Sequence, residues 1–230
     1  MTDLMSSHQL LNIIFDLDGT LIDSRPGITA SLKLALEDAG QDQPLTPDQV
    51  PIGPPLVELV QSITGLSDQR RIDFVVKRFA FHYDSSGYQH STLFDGVYSF
   101  LEALHSSSAS LYIATNKRID PTLKILEHLS ISRFFNNVFA LDSCPGGYLS
   151  KSDMLKSLIE HCSLGPHTVY VGDRYDDLKA AVNNSLAFRF PLWGYDKDRH
   201  LFPSNVVGID LAFNKEIDYA SWLWSNVISA

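Results

Sequence analysis

Four aspartates stand where their carboxylates can act together on a metal ion or a phosphate group. Asp16 and Asp18 come directly after one short apolar run, and Asp173 and Asp177 come after another. Residues two apart on an extended chain point the same way, and Gly19 lets the backbone turn sharply behind the first pair. Carboxylates gathered at one sheet edge raise one another's pKa unless cations neutralise them. The pattern predicts a divalent cation, and without a close Cys and His cluster it favours magnesium over zinc.

A hydroxyl, an amide and a lysine stand where they could balance this negative charge or hold a phosphate. Thr115 and Asn116 follow the apolar run at 111–114, ahead of a helix that Pro121 is expected to begin, and helix N-termini attract anions. Lys151 stands before another helical pattern. Each residue alone has an ordinary interpretation, as a helix cap for Thr115 and a solvated surface group for Lys151. Only their combination with the aspartates indicates a phosphate site.

These residues follow short apolar runs that have the composition of buried parallel strands. We predict strands at 10–15, 111–115, 137–140, 168–171, 186–190 and 206–209, and helices at 95–104, 120–129 and 152–161. Strands and helices in alternation predict an α/β fold, with a Rossmann-like parallel sheet and helices on both faces. Ligands of such sheets bind beyond the carboxyl ends of the strands, which is where the aspartates stand.

The alternation stops between residues 24 and 87, where the chain shows only helical patterns. One pattern ends at Gly40 and another begins at Ser67-Asp68, and these residue types are typical of such helix ends. A block of roughly 60 residues is too long for one ordinary crossover, so we predict a helical cap inserted after the first strand. The predicted domains are an α/β core at 1–23 and 89–230 and a cap at 24–88, which face a common cleft.

The overall charge argues against nucleic acid and membrane surfaces as partners. The 230 residues include 18 Lys and Arg against 27 Asp and Glu, and a formal charge of −9 repels polyanions. Two cysteines are too few for a disulfide scaffold, and the first apolar run lacks the basic flank of a secretory signal. We therefore expect a cytoplasmic protein, monomeric or homodimeric, whose partner is a small molecule.

Four motifs together resemble those of the haloacid dehalogenase superfamily of hydrolases. Asp16-Leu17-Asp18-Gly19-Thr20 is similar to the Asp-x-Asp-Gly-Thr signature of this superfamily. It is followed, in the family's order, by Thr115, by Lys151, and by Gly172-Asp173 with Asp177. The helical block resembles the cap that this superfamily inserts at that point. The segments at 21–27, 52–56 and 193–195 resemble the phosphoglycolate phosphatase-like subgroup.

Some residues depart from the family's usual pattern. Ser152 stands where the family often has a proline after the lysine that corresponds to Lys151. Asp95 stands where the family often has a proline before the glycine that corresponds to Gly96. Asn184-Ser185 stands where the family often has Ala-Gly. None of these departures touches a residue of the four motifs.

The resemblance implies phosphoryl transfer through an aspartyl-phosphate. Asp16 would attack phosphorus, while Asp18 would protonate the leaving oxygen and later activate water. Magnesium would be held by Asp16, the backbone carbonyl of Asp18, and Asp173, with Asp177 in direct or indirect contact. The motif residues that would bind the phosphoryl group or offset its charge are Thr115, Asn116 through its amide, and Lys151.

Two segments are candidates for determining substrate specificity. The cap would exclude water from the site. Arg25 follows the first strand closely and could reach a second anion of the substrate, or simply be exposed. Gly53-Pro54 could form a rigid loop that reaches the active site, or only begin a helix.

The expected activity is that of a magnesium-dependent phosphatase acting on a small metabolite such as phosphoglycolate, a nucleotide or a sugar phosphate. Dehalogenases and phosphonate-cleaving members of the superfamily lack an aspartate at the position of Asp18, which disfavours both. A phosphomutase of the β-phosphoglucomutase type stays open, as does a silent relative that only binds a phosphorylated ligand. A signalling receiver domain is disfavoured by the order of the residues. Receivers place the accepting aspartate on a middle strand after an acidic pair, whereas the run at 111–115 here ends in Thr, and the cap has no place in that fold.

Overall fold

The edge at which the aspartates gather belongs to a sheet of six parallel strands. A computed structural model describes residues 11–41, 43–53, 55–107, 109–195, 200–204 and 206–211. Within these residues the strands are β1 (Asn12–Phe15), β2 (Ile22–Asp23), β3 (Thr92–Leu93), β4 (Ser110–Thr115), β5 (Phe135–Ala140), β6 (Thr168–Val171), β7 (Ala187–Pro191) and β8 (Val207–Ile209). The large sheet has the order β5-β4-β1-β6-β7-β8, and each neighbouring pair runs parallel. The predicted α/β fold is confirmed.

The helices begin within a few residues of their predicted starts. They are α1 (Arg25–Asp38), α2 (Leu56–Thr64), α3 (Gln69–Ser85), α4 (Val97–Ser106), α5 (Ile119–His128), α6 (Lys151–Cys162) and α7 (Tyr175–Asn183). α6 begins at Lys151 and not after it, because the Ser150 hydroxyl caps the helix by accepting from the backbone N–H of Asp153 at 3.1 Å. None of the helices in the described ranges has the length and apolarity that crossing a bilayer requires.

β1 lies at the centre of the sheet because its side chains are apolar on both faces. Ile13, Ile14 and Phe15 are fully buried. Ile13 and Phe15 pack in the core on one face and Ile14 packs in the core on the other, as the alternation of a strand requires. Phe15 lies beside Ile113 of β4 and Val171 of β6. The residues that follow these three positions therefore meet at one edge.

Helices α1, α2 and α3 pack around an apolar cluster of their own. Its buried members on these helices are Leu32, Ala35, Leu36, Leu59, Val60, Ile72 and Val75. α3 begins after Asp68, as predicted. The Asp68 carboxylate accepts hydrogen bonds from the backbone N–H groups of Arg70 and Arg71, at 2.8 and 3.3 Å. α2 begins at Leu56, shortly after the Gly53-Pro54 stretch for which a rigid loop and a helix start were both open.

A two-stranded antiparallel ribbon stands where the chain leaves the sheet for these helices and where it returns. β2 pairs with β3, with Ile22 opposite Leu93 and Asp23 opposite Thr92. Strands of two residues are too short to show a periodic pattern, so the ribbon was not predicted. We propose the division into a core at 1–23 and 89–230 and a cap at 24–88. The ribbon supports this division because its two strands lie where the chain enters the helical block and where it leaves it.

Candidate active site

Three strand ends place the predicted site residues at one edge of the sheet. Asp16 follows β1, Thr115 ends β4, and Gly172-Asp173 follows β6. The backbone N–H of Asp16 donates to the carbonyl of Val171 at 2.8 Å, which extends the pairing of β1 and β6 by one residue. The register of neighbouring parallel strands thus joins residues that are far apart in the sequence.

Three of the predicted aspartates form one buried cluster. Asp16, Asp173 and Asp177 each offer a carboxylate oxygen, and these oxygens lie within 4.8 Å of one another. The three residues are 5%, 1% and 1% exposed. Buried carboxylates at this spacing are costly without a cation, and magnesium prefers such oxygen ligands. The donor set therefore fits the predicted metal.

Lys151 reaches into this cluster from the first residue of α6. Its Nζ lies 2.6 Å from Oδ1 of Asp16 and 2.6 Å from Oδ1 of Asp177. Burial alone would lower the pKa of Lys151, but the two carboxylates outweigh burial and raise that pKa above its ordinary value. Lys151 therefore stays charged and offsets part of the negative charge of the cluster.

One lysine does not balance three carboxylates. Burial raises the pKa of Asp16 to about 7, although the positive charge of Lys151 opposes the shift. Burial, together with the negative charges of Asp16 and Asp177, also raises the pKa of Asp173 well above its ordinary value. Burial is the larger cause of both shifts, and a divalent cation would favour the ionised carboxylates.

The Asp177 carboxylate is held by three donors of this chain. Its Oδ1 accepts hydrogen bonds from Lys151 Nζ and, at 3.0 Å, from the hydroxyl of Tyr170 on β6. Its Oδ2 accepts from the backbone N–H of Arg174 at 3.0 Å, at the start of α7. Asp177 therefore positions Lys151 and the start of α7. Tyr170 was missed because the sequence shows it only as one apolar residue of a buried strand.

Asp173 packs against the loop that follows Asp18. The hydroxyl of Thr20 donates to Oδ1 of Asp173 at 3.3 Å. Gly19 has φ of 83°, and a Cβ at this position would collide with the Asp173 carboxylate, so glycine is required for conformation and for space. The indole N–H of Trp193 donates to the carbonyl of Thr20 at 2.8 Å. The segment at 193–195 therefore fixes the loop that carries Asp18.

Asp18 pairs with a lysine that the sequence analysis did not single out. The Nζ of Lys117 lies 3.0 and 3.1 Å from the two carboxylate oxygens of Asp18 and 4.8 Å from the ring centre of Tyr83 on α3. Burial alone would lower the pKa of Lys117, but Asp18 and Tyr83 outweigh burial and raise it. The sequence did carry one signal for Lys117. It directly follows Thr115-Asn116, on a turn that faces the same sheet edge as the aspartates.

The two candidate phosphate ligands after β4 differ in burial. Thr115 is 1% exposed, and its Oγ1 accepts a hydrogen bond from the backbone N–H of Lys117 at 3.2 Å. Asn116 is exposed. The Thr115 contact is that of an ordinary turn cap, so the phosphate-binding role of both residues stays a prediction.

The candidates for substrate specificity lie in different surroundings. Arg25 forms an ion pair with Asp23, at 3.1 and 2.8 Å from its two oxygens, and its guanidinium lies 4.6 Å from the ring centre of Tyr195. These contacts hold Arg25 beside the ribbon of β2 and β3. Gly53 lies against Arg174 of the core. Pro54 lies outside the described residues.

Known proteins are similar to this chain over most of its length. The sequence profile of the family described as haloacid dehalogenase-like hydrolase matches residues 13–189. A 5'-nucleotidase of Pseudomonas aeruginosa is 33% identical over 76% of this chain and 80% of its own length. A phosphoglycolate phosphatase of Aquifex aeolicus is 30% identical over 80% of this chain and 86% of its own length. The solved structure of protein tyrosine kinase A of Mycobacterium tuberculosis matches with a TM-score of 0.75 at 29% identity, covering 94% of this chain and 99% of the other.

The chain therefore belongs to the haloacid dehalogenase-like hydrolase family, and its relatives include proteins named as phosphatases. The resemblance stated for the four motifs is confirmed at this level. The matched range runs from β1 to β7 and so contains Asp16, Asp18, Lys151, Asp173 and Asp177.

Proposed function

We propose that this protein is a magnesium-dependent phosphatase that releases phosphate from a small phosphorylated metabolite. The observation that supports this most is the buried cluster of Asp16, Asp173 and Asp177 around Lys151, with Asp18 on the turn beside it. The proposed substrates are phosphoglycolate-like esters, nucleotides or sugar phosphates. Relatives that are named 5'-nucleotidase and phosphoglycolate phosphatase support these classes.

In the first step, a carboxylate oxygen of Asp16 attacks the phosphorus atom of the ester. The bond between phosphorus and the ester oxygen breaks, and the phosphoryl group passes to Asp16 as an acyl phosphate. Asp18 gives its proton to the leaving oxygen, so that the alcohol leaves neutral. Asp18 lies two residues from the proposed nucleophile, and Lys117 holds its carboxyl group in place.

In the second step, water attacks the phosphorus atom of the acyl phosphate. Asp18, now a carboxylate, takes a proton from that water. The bond between phosphorus and the Asp16 oxygen breaks, and inorganic phosphate leaves. Asp16 returns to its carboxylate form and Asp18 to its protonated form, which closes the cycle.

Magnesium would be held by Asp16, the backbone carbonyl of Asp18, and Asp173, with Asp177 close by. When bound, the ion supplies positive charge against the oxygens of the transferring phosphoryl group. The chain's own groups that would face these oxygens are the Thr115 hydroxyl, the Asn116 amide and Lys151.

Helices α1 to α3 would cover the cleft during transfer and read the leaving group. Covering matters because excluding bulk water strengthens the electrostatic interactions between the charged groups of the site and the phosphoryl group. We place the protein in the cytoplasm, as a monomer or a homodimer. Cys144 and Cys162 are both unpaired, which agrees with a reducing compartment.

A phosphate-release assay over a panel of esters tests this proposal. Wild-type protein with magnesium should release phosphate, and a chelator should abolish the release. Asp16→Asn should lower the rate by about 10³-fold or more, because the nucleophile is lost. Asp176→Asn is the matched control, since Asp176 is exposed and pairs with Lys179 at 3.1 Å, outside the cluster; its rate should equal that of the wild type.

Three other outcomes would point elsewhere. If folded wild-type protein released phosphate from no ester, the phosphatase proposal would fail. Transfer of phosphate to a second acceptor without net release would support the mutase-type alternative. Phosphate transfer to an acceptor is also what the name of one structural relative, a tyrosine kinase, describes. Binding of an ester with neither reaction would support the silent relative.

A further inference from the structure

Arg174 connects the metal-site loop to the cap. It follows Asp173 directly, and its backbone N–H donates to Oδ2 of Asp177 at 3.0 Å. Its guanidinium NH1 donates to the backbone carbonyl of Ile52 at 2.7 Å, 122 residues away along the chain. One residue thus contacts the carboxylate cluster with its backbone and the cap with its side chain.

The next residue of the cap loop is shaped to receive this side chain. Gly53 has φ of 109°, a conformation that side chains disfavour. A Cβ at Gly53 would collide with NH1, Cζ and Nε of Arg174, so the guanidinium lies directly against the Gly53 α-carbon. The absence of a side chain at Gly53 is therefore part of the contact.

The loop at 50–53 belongs to the cap, while Arg174 belongs to the core. Val50 is 1% exposed and packs in the apolar cluster of α1, α2 and α3, and Ile52 packs against the same cluster. Arg174 stands at the start of α7, which follows a central strand of the sheet. The contact of Arg174 with Ile52 and Gly53 therefore exists only when the cap lies against the core.

We propose that Arg174 is a positioning residue that docks the cap loop 50–53 onto the metal-site loop and so holds the cap closed over the site. The kinetic part of this inference rests on the proposed function. Arginine suits the task because its planar guanidinium can lie flat on Gly53 and still donate to the Ile52 carbonyl. Arg174→Lys keeps the charge but not this geometry and should not restore docking.

The first test compares two substrates for Arg174→Ala, both assayed with magnesium. The leaving group of para-nitrophenyl phosphate needs little protonation and is not a metabolite that the cap would recognise. Hydrolysis of the best metabolite ester, in contrast, should depend on closure of the cap. We expect kcat/KM for the ester to fall about tenfold or more, which corresponds to one lost hydrogen bond to a charged group. The value for the aryl phosphate should change by less than about threefold. Arg70→Ala, an exposed arginine on α3, should leave both unchanged.

The second test approaches the same contact from the cap. Gly53→Ala should reproduce the selective loss on the ester, because its methyl group displaces the guanidinium. Gly65→Ala is the matched control, since Gly65 also has positive φ, 67°, but open space around its Cβ position. The double variant of Gly53→Ala and Arg174→Ala should lose no more than the larger single loss, as residues that share one interaction do.

A third test does not depend on activity. Amide hydrogen exchange of the peptide at 48–53 should be several-fold faster in Arg174→Ala and Gly53→Ala than in the wild type, because undocking exposes the loop. Unchanged exchange in both variants would overturn the docking role. An equal loss on both substrates with unchanged exchange would place Arg174 in the chemistry and overturn it as well. Absence of phosphate release by the wild type would end the proposed function alone, and the exchange data would still decide docking.

Discussion

The ammonium of Lys117 faces both carboxylate oxygens of Asp18, at 3.0 and 3.1 Å. Lys117 follows β4 and Asp18 follows β1, so the pair forms just beyond the carboxyl ends of two neighbouring parallel strands. Lys117 also lies over the ring of Tyr83, which α3 supplies from the cap. Lys151 contacts one carboxylate oxygen of Asp16, at 2.6 Å. The proposed nucleophile and the proposed general acid therefore each have a lysine partner.

Lys117→Met should weaken both the fold and the reaction. The side chains of Lys117 and Asp18 are 9% and 16% exposed, so the substitution leaves a largely buried carboxylate without its cation. We expect the free energy of unfolding to fall by about 3 kcal/mol and kcat to fall at least about tenfold, because Asp18 is no longer held. Denaturant titration and steady-state kinetics measure the two effects. Lys179→Met, at an exposed position, is the control, and an unchanged kcat in Lys117→Met would contradict the role given to this lysine.

Asp173→Asn should separate stability from metal binding. The substitution removes one negative charge from a cluster in which burial and neighbouring carboxylates raise the pKa of Asp173. Without metal, the variant should be more stable than the wild type by about 1 kcal/mol, since repulsion is relieved. Magnesium should raise the thermal midpoint of the wild type and leave that of the variant nearly unchanged. Thermal melts in chelator and in a magnesium series measure both, and an equal metal response would remove Asp173 from the ligand set.

Tyr170→Phe should disturb the site without touching a substrate. The hydroxyl of Tyr170 donates to Asp177, which in turn holds Lys151 at 2.6 Å. Loss of this buried hydrogen bond should lower the free energy of unfolding by about 1 kcal/mol and lower kcat about threefold to tenfold. Tyr112→Phe on β4 packs in the same apolar cluster and is the matched control. Equal kinetics for both variants would show that the Tyr170 hydroxyl only fills space.

Asp23→Asn should change how stability depends on pH. Burial alone would raise the pKa of Asp23, but hydrogen bonds from Arg25 and Tyr195 outweigh burial and hold that pKa below its ordinary value. Such a carboxylate stabilises the fold above the pKa of the unfolded chain, about 3.9, and the contribution disappears as pH falls through the lower folded value. The wild type should exceed the variant by about 1 kcal/mol at pH 7, and the difference should shrink below about pH 4. Urea titrations of both proteins between about pH 7 and about pH 3 measure this difference in the free energy of unfolding. A difference that stays constant with pH would contradict the lowered pKa of Asp23.

Local patterns made the sheet and the carboxylate cluster predictable. Strand-like runs placed Asp16, Thr115 and Asp173 at strand ends, and parallel strands in register bring such ends together. Lys117 and Tyr170 were not predictable in the same way. Whether the Lys117 ammonium meets Asp18 depends on the turn after β4, and whether the Tyr170 hydroxyl reaches Asp177 depends on the path of α7.

The contacts between cap and core were also beyond the sequence. Arg174 meets Ile52 only because two separately packed parts of the chain lie against each other, and no residue spacing encodes that arrangement. Gly53 was singled out, but its partner was not. The ribbon of β2 and β3 was missed because two residues per strand give no periodicity.

The ribbon makes the cap exchangeable in principle. Because Asp23 pairs with Thr92, the two ends of the helical block stand one strand spacing apart, about 4.8 Å. Any insert that begins and ends on neighbouring strands could be grafted there, whatever its length, without shifting the order of the six-stranded sheet. A chimera that carries another helical block on this ribbon should keep the carboxylate cluster and change the molecules that it accepts, but it would lose the contacts of Tyr83 with Lys117 and of Ile52 with Arg174. Substrate choice and phosphoryl chemistry can therefore diverge separately in this architecture.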